Sequence, residues 1–154
     1  QVFCRNSRHA EEACNFIGGG EPISSLEEFT PATINIVSTQ DDAIRLTCDK
    51  LARESNFDFK STMFVHCSGA MSAKDGLSSV SEKGALIASC HPAISFSSPD
   101  RAAEIFKGSY CGIEGDEIAC LVMSKIFDHI GFQSFHLSSS LLALRTVHSY
   151  LPPS

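Results

Sequence analysis

The chain has 154 residues, 43% apolar and 19% charged, which is one globular domain's worth of core. Its net charge of −6, from 12 basic against 18 acidic residues, argues against a phosphate backbone as the main partner. No apolar run approaches the roughly 18–20 residues that span a bilayer, and no signal-like segment opens the chain. The expectation is a cytoplasmic protein with no nucleic acid and no membrane among its partners.

Val2-Phe3-Cys4 reads as a short buried strand. Ser7 then reads as the N-cap of a helix whose Ala10, Ala13, Cys14 and Ile17 share a face, and Gly18-Gly19-Gly20 stops it. A weak strand around Ile23 to Leu26 precedes a stronger one at Thr33-Ile34-Asn35-Ile36-Val37. Asp41 or Asp42 can cap the next helix, whose apolar face is Ile44, Cys48, Leu51 and Ala52. Thr62-Met63-Phe64-Val65-His66 is a continuous run suited to a strand covered on both faces. Ser72 caps a helix carrying Leu77 and Val80 up to Gly84, and Ala85 to Cys90 is the next buried strand. Ser98-Pro99-Asp100 opens a helix through Phe106. Ser109 to Ile113 reads as a strand, and Gly115-Asp116 as a turn and N-cap. The helix that follows places Ile118, Leu121, Val122, Ile126 and Ile130 on one face, ending at Gly131. Phe132 to Leu137 is a last strand, and Ser139 to Tyr150 a helix that Pro152-Pro153 ends.

Short apolar strands alternating with helices predict an α/β fold with a mainly parallel sheet and helices on both faces. Ligands of such sheets sit outside the carboxyl ends of the strands. After the first strand, Arg5-Asn6-Ser7-Arg8 can hold a phosphate dianion between two guanidinium forks and a helix start; the alternative is a solvated helix start with two surface arginines. After the third strand, Ser38-Thr39-Gln40 can meet a sugar or nicotinamide, or serve as capping residues. Ser68 and His91 each follow a strand, 23 residues apart in the chain, and in a parallel sheet both emerge at one edge. There His91 can act as an acid or base and Ser68 can orient a substrate or relay a proton; structural roles are the alternative. The seven cysteines are odd in number and scattered without a C-x-x-C pair, which predicts free thiols in a reducing compartment and no metal site.

The segments Val65-His66-Cys67-Ser68-Gly69-Ala70, Cys90-His91-Pro92-Ala93-Ile94-Ser95-Phe96 and Gly112-Ile113-Glu114-Gly115-Asp116 resemble a motif run, HxSGA … HPxxSF … EGD. It belongs to a family of Rossmann-like candidate oxidoreductases with a domain of unknown function. That family is related to the NADP-dependent reductases of the pyrroline-carboxylate and coenzyme-F420 type, and more distantly to prephenate and 6-phosphogluconate dehydrogenases. The resemblance covers about Val2 to Leu137. It implies a Rossmann-like domain over residues 1–137 that lacks the first strand–helix unit with its G-x-G-x-x-G loop, and a C-terminal helix over 138–154 leading towards a helical domain. It further implies that Arg5, Asn6, Ser7 and Arg8 meet the NADP 2′-phosphate and that Ser38, Thr39 and Gln40 border the nicotinamide. By likeness to prephenate dehydrogenases, His91 contacts the reacting oxygen of a small-molecule substrate and Ser68 assists. The resemblance therefore implies an NADP-linked oxidoreductase-like domain that transfers hydride to or from a small substrate, as a fragment or an inactive homologue. A non-catalytic dinucleotide-sensing or protein-interaction module is the alternative, and an α/β phosphate-ester enzyme using the arginines a third. Without the first unit, dinucleotide binding is expected to be weak or absent, and the unpaired strand edges are expected to favour self-association.

Overall fold

The computed structural model describes residues 1–94 and 98–137; the helix expected over 139–150 and the division at residue 138 lie outside them. Strand β1 (Val2–Phe3) leads into helix α1 (Ser7–Ile17) and strand β2 (Pro22–Ile23), and the two strands pair in parallel as a small sheet of their own. Asn6, not Ser7, caps α1: its side chain accepts the Arg8 amide at 3.0 Å, while Ser7 is already helical. The expected stop holds, with Gly18 left-handed at φ 77° and its amide returned to Cys14 and Asn15. A 3-10 turn over Leu26–Glu28 stands where the weak strand was expected to run on.

The main sheet runs β3 (Ile34–Val37), β4 (Met63–His66), β5 (Leu86–Pro92), β6 (Tyr110–Gly115), β7 (Gln133–His136) in spatial order. Every neighbouring pair is parallel except β5 with β6. Helices α2 (Asp41–Glu54) and α3 (Ala73–Glu82) follow β3 and β4. They cover one face through Ile44, Cys48, Leu51, Leu77 and Val80 against Val37, Phe64 and Ile87, and Phe3 joins this core from the small sheet. Helix α4 (Pro99–Ile105) joins β5 to β6, and α5 (Glu117–Ile130) joins β6 to β7 and covers the other face.

Two capping expectations are corrected. Asp41 and Asp42 lie inside the first turn of α2, where they suit the helix dipole, and Gln40 holds the cap position with no side-chain bond. Asp116 stands before α5 as expected, but its carboxylate accepts the Ile87 amide at 2.8 Å instead of capping the helix.

The face expected to bury α5 is also turned round. Ala119, Cys120 and Met123 pack on Cys90, Cys111 and Ile113, while Ile118, Leu121, Ile126 and Ile130 are exposed. Only Val122 of the expected stripe packs against that core. Both stripes are apolar, so periodicity does not choose between them. The small Ala119 and Cys120 let the helix lie close on the sheet, which the larger side chains would hold off.

Candidate functional site

The parallel part of the sheet brings several singled-out residues to one edge. Val37 lies opposite His66 and His66 opposite Ser89. The turns that begin at Ser38 and at Cys67 therefore leave the sheet side by side, and β5 carries His91 past them as a strand residue paired with Gly112. The strand thus extends beyond the expected end at Cys90, through His91 and Pro92.

The turn after β4 is tied down by a buried histidine. His66 is wholly inaccessible. Its Nδ1 accepts the Ser68 amide at 3.2 Å, and its Nε2 lies 3.1 Å from the Ser72 carbonyl. Ser68 is itself buried; its Oγ accepts the Ala70 amide at 3.2 Å, and its carbonyl accepts the Ser89 hydroxyl at 3.4 Å. Ser72 then caps α3 by accepting the Asp75 amide, while Glu114 of β6 accepts the Ala73 amide at 2.7 Å.

His91 lies against this turn. A methyl group at Gly69 would stand 2.3 Å from its Cε1 and 2.6 Å from its Nε2, so the ring occupies the space that any side chain at 69 would need. On β6, opposite His91, Gly112 leaves room for Leu137 and Phe135, whose ring meets Tyr110 edge-on at 6.3 Å. Ser68 and His91 are thereby brought to one turn, with Gly69 between them. The sequence places His66 and Gly69 in the HxSGA run but assigns neither a role in the site. The signal was the spacing: a side-chain acceptor two residues before an amide is a local turn, which Asn6 to Arg8 and Asp58 to Lys60 also make.

Ser38, Thr39 and Gln40 are exposed at the end of β3. Gln40 holds the cap position of α2 through its backbone, and no side-chain bond caps the helix. Arg5 and Asn6, between β1 and α1, and Ser7 and Arg8, in the first turn of α1, are exposed. Arg8 pairs with Glu12 at 2.9 Å on the open helix surface, an interaction worth little. Arg5 makes no ion pair among the described residues.

Two cavities open elsewhere on the described surface. One of about 430 Å³ between α2 and α3 is lined by Asp49, Arg53, Glu82 and Lys83. Another of about 560 Å³ beside α3 is lined by Ser72, Lys74, Glu114, Asp116 and Leu137. Neither is lined by His91 or Ser68. Among the described residues no group of three His, Cys, Asp or Glu side chains is placed to hold a metal ion. No described helix is long and apolar enough to cross a membrane. None of the seven cysteines is in a disulfide. Burial pushes the Cys48 thiol up to about 12 and that of Cys120 to about 11, and also raises Cys90 and Cys67. Cys67 is exposed as a residue, but its sulfur is crowded by protein, and it is the sulfur's surroundings that govern its ionisation.

No known family model matches the chain, and no curated protein matches it. Solved structures do. Protein TM1727 from Thermotoga maritima superposes with a TM-score of 0.70 at 24% identity over 96% of this chain and 52% of its own. The candidate NADP oxidoreductase BF3122 from Bacteroides fragilis gives 0.74 at 19% identity over 97% and 54%. The prephenate dehydrogenase of Aquifex aeolicus, solved with hydroxyphenyl propionate and NAD+, gives 0.68 at 14% identity over 91% and 51%. The chain thus spans about half the length of these proteins and has a Rossmann-like α/β fold, one that dehydrogenases also use.

Proposed function

We propose that the chain is the cofactor-side domain of an NADP-linked oxidoreductase that transfers hydride to or from a small-molecule substrate. The observation that supports this most directly is the placing, at one sheet edge, of the exposed Ser38–Gln40 turn beside the Ser68–Gly69 turn on which His91 is seated. In the proposal, Arg5 with Asn6, Ser7 and Arg8 faces the 2′-phosphate, Arg5 supplying the main charge because Arg8 already has Glu12. Ser38, Thr39 and Gln40 border the nicotinamide. His91 holds or moves a proton at the substrate oxygen, and Ser68, whose Oγ accepts from Ala70 and keeps its own proton to donate, assists. NADP when bound supplies the hydride chemistry; the residues supply position and protons. Free thiols support a cytoplasmic setting.

A second reading, a dinucleotide-sensing or protein-interaction module without turnover, is favoured by one feature: neither described cavity is lined by His91 or Ser68. In the described structure β1 pairs only with β2, and β3 only with β4, which supports self-association through open strand edges.

Titration of NADPH and NADH against the chain and against Arg5→Ala tests the reading. A guanidinium–phosphate bond contributes about 1.5–3 kcal/mol, so NADPH should bind at least about tenfold more tightly than NADH. Arg5→Ala should remove that preference while leaving NADH binding unchanged. Equal affinity for the two nucleotides in the parent chain overturns the 2′-phosphate assignment. Binding without hydride transfer across carbonyl, imine and hydroxy-acid substrates selects the second reading.

A further inference from the structure

We infer that His66 is a positioning residue: a neutral imidazole, protonated at Nε2, that shapes the turn on which the His91 ring rests. It bears on function through the proposed role of His91, and the geometry below stands without that role. The His66 ring meets two backbone groups with fixed hydrogen-bonding sense. The Ser68 amide can only donate, so Nδ1 must present its lone pair at 3.2 Å. The Ser72 carbonyl can only accept, so Nε2 must carry the proton across 3.1 Å. The ring is fully buried, and Gly76 of α3 approaches so closely that a methyl group there would lie 3.1 Å from Cδ2 and Nε2. One side chain thus clamps both ends of the Cys67–Ser72 turn. Between its two anchors sits Gly69, whose missing side chain is the seat of the His91 ring. If Ser68 shifts, Gly69 shifts with it, and the ring loses its support.

The test uses the whole chain and no nucleotide, so it fails or succeeds independently of the NADP reading. In the parent protein labelled with 15N-histidine, long-range 1H–15N correlation should show His66 neutral with the proton on Nε2. A proton on Nδ1, or on both nitrogens at neutral pH, overturns the inference without any variant. His66→Asn keeps an acceptor two residues before Ser68, as Asn6 does for Arg8 at 3.0 Å; it should keep the Ser68 amide protected and the His91 ring resonances in place. His66→Leu keeps neither bond. It should speed Ser68 amide exchange at least about tenfold, the loss of one hydrogen bond of roughly 1.4 kcal/mol, and move the His91 resonances. A folded His66→Leu with unmoved His91 resonances, or a folded His66→Asn that behaves like His66→Leu, overturns the inference.

Discussion

Replacing Gly69 by alanine isolates the contact on which the site geometry depends. The added methyl would sit 2.3 Å from His91 Cε1, 2.6 Å from Nε2 and 2.7 Å from Nδ1, where ordinary contact needs 3.4 Å or more, so the ring must retreat by about 1 Å. Two responses are open to it. If β5 holds the side chain in place, the overlap is absorbed as strain of about 1–3 kcal/mol. At about 2–4 °C per kcal/mol for a chain of this size, that is a fall in Tm of about 2–12 °C. If the ring turns to another rotamer, much of the strain is relieved and His91 loses its seat on the turn. Either way the ring changes surroundings. Heteronuclear NMR of the His91 Cε1–H group across pH, with thermal unfolding followed in parallel, reads both responses. Gly19→Ala is the control: nothing lies within 4 Å of a methyl group there, and its effect should stay within about ±0.5 kcal/mol. Unchanged His91 resonances together with an unchanged Tm in Gly69→Ala would refute the seating of the ring.

Further outcomes follow from the same packing. Asp116→Ala removes the acceptor of the Ile87 amide and should cost about 1–3 kcal/mol in urea unfolding; an effect below about 0.5 kcal/mol would mean that water replaces the carboxylate. The raised thiols give a pH dependence of definite sign. The folded state holds the Cys48 and Cys120 protons to about 12 and 11, whereas the unfolded chain releases them near 9.0. Stability from these groups is therefore complete below pH 9 and lost as pH rises through 11 to 12, and a urea midpoint flat from pH 8 to 11 would contradict it. In native protein at pH 7.5, a thiol reagent should reach Cys4 first and Cys67 slowly, with Cys14, Cys48, Cys90, Cys111 and Cys120 labelled only on unfolding.

Much of the fold is legible in the sequence because its strands are short, apolar and punctuated. Thr62 to His66 reads as a doubly covered strand and Met63–His66 is one, and Gly18-Gly19-Gly20 ends a helix as its place after Ile17 requires. Where two physical choices are equivalent in pattern, the sequence is silent. The apolar stripes of α5 differ only in side-chain size, and packing distance on the sheet decides between them. The caps of α1 and α2 sit within a residue or two of several acceptors, and backbone geometry picks among them. The extra length of β5 comes from pairing with antiparallel β6, a contact between segments that no local pattern encodes. The same holds for the site. The arrival of Ser68 and His91 at one edge is expected from parallel strands, whereas the clamp by His66 and the seat at Gly69 depend on hydrogen bonds and a close approach across the turn.

The central claim is that the strand ends of this Rossmann-like sheet face NADP. Mapping NADPH onto the chain by 1H–15N chemical-shift perturbation tests it most directly, because the method reads weak, fast-exchanging binding residue by residue. The account predicts saturable shifts at the amides of Arg5, Asn6 and Ser7 and of Ser38, Thr39 and Gln40, with the Arg5 group shifting much less for NADH. Shifts confined to other surfaces, or saturating concentrations of NADPH that leave both groups of amides unmoved, would contradict it.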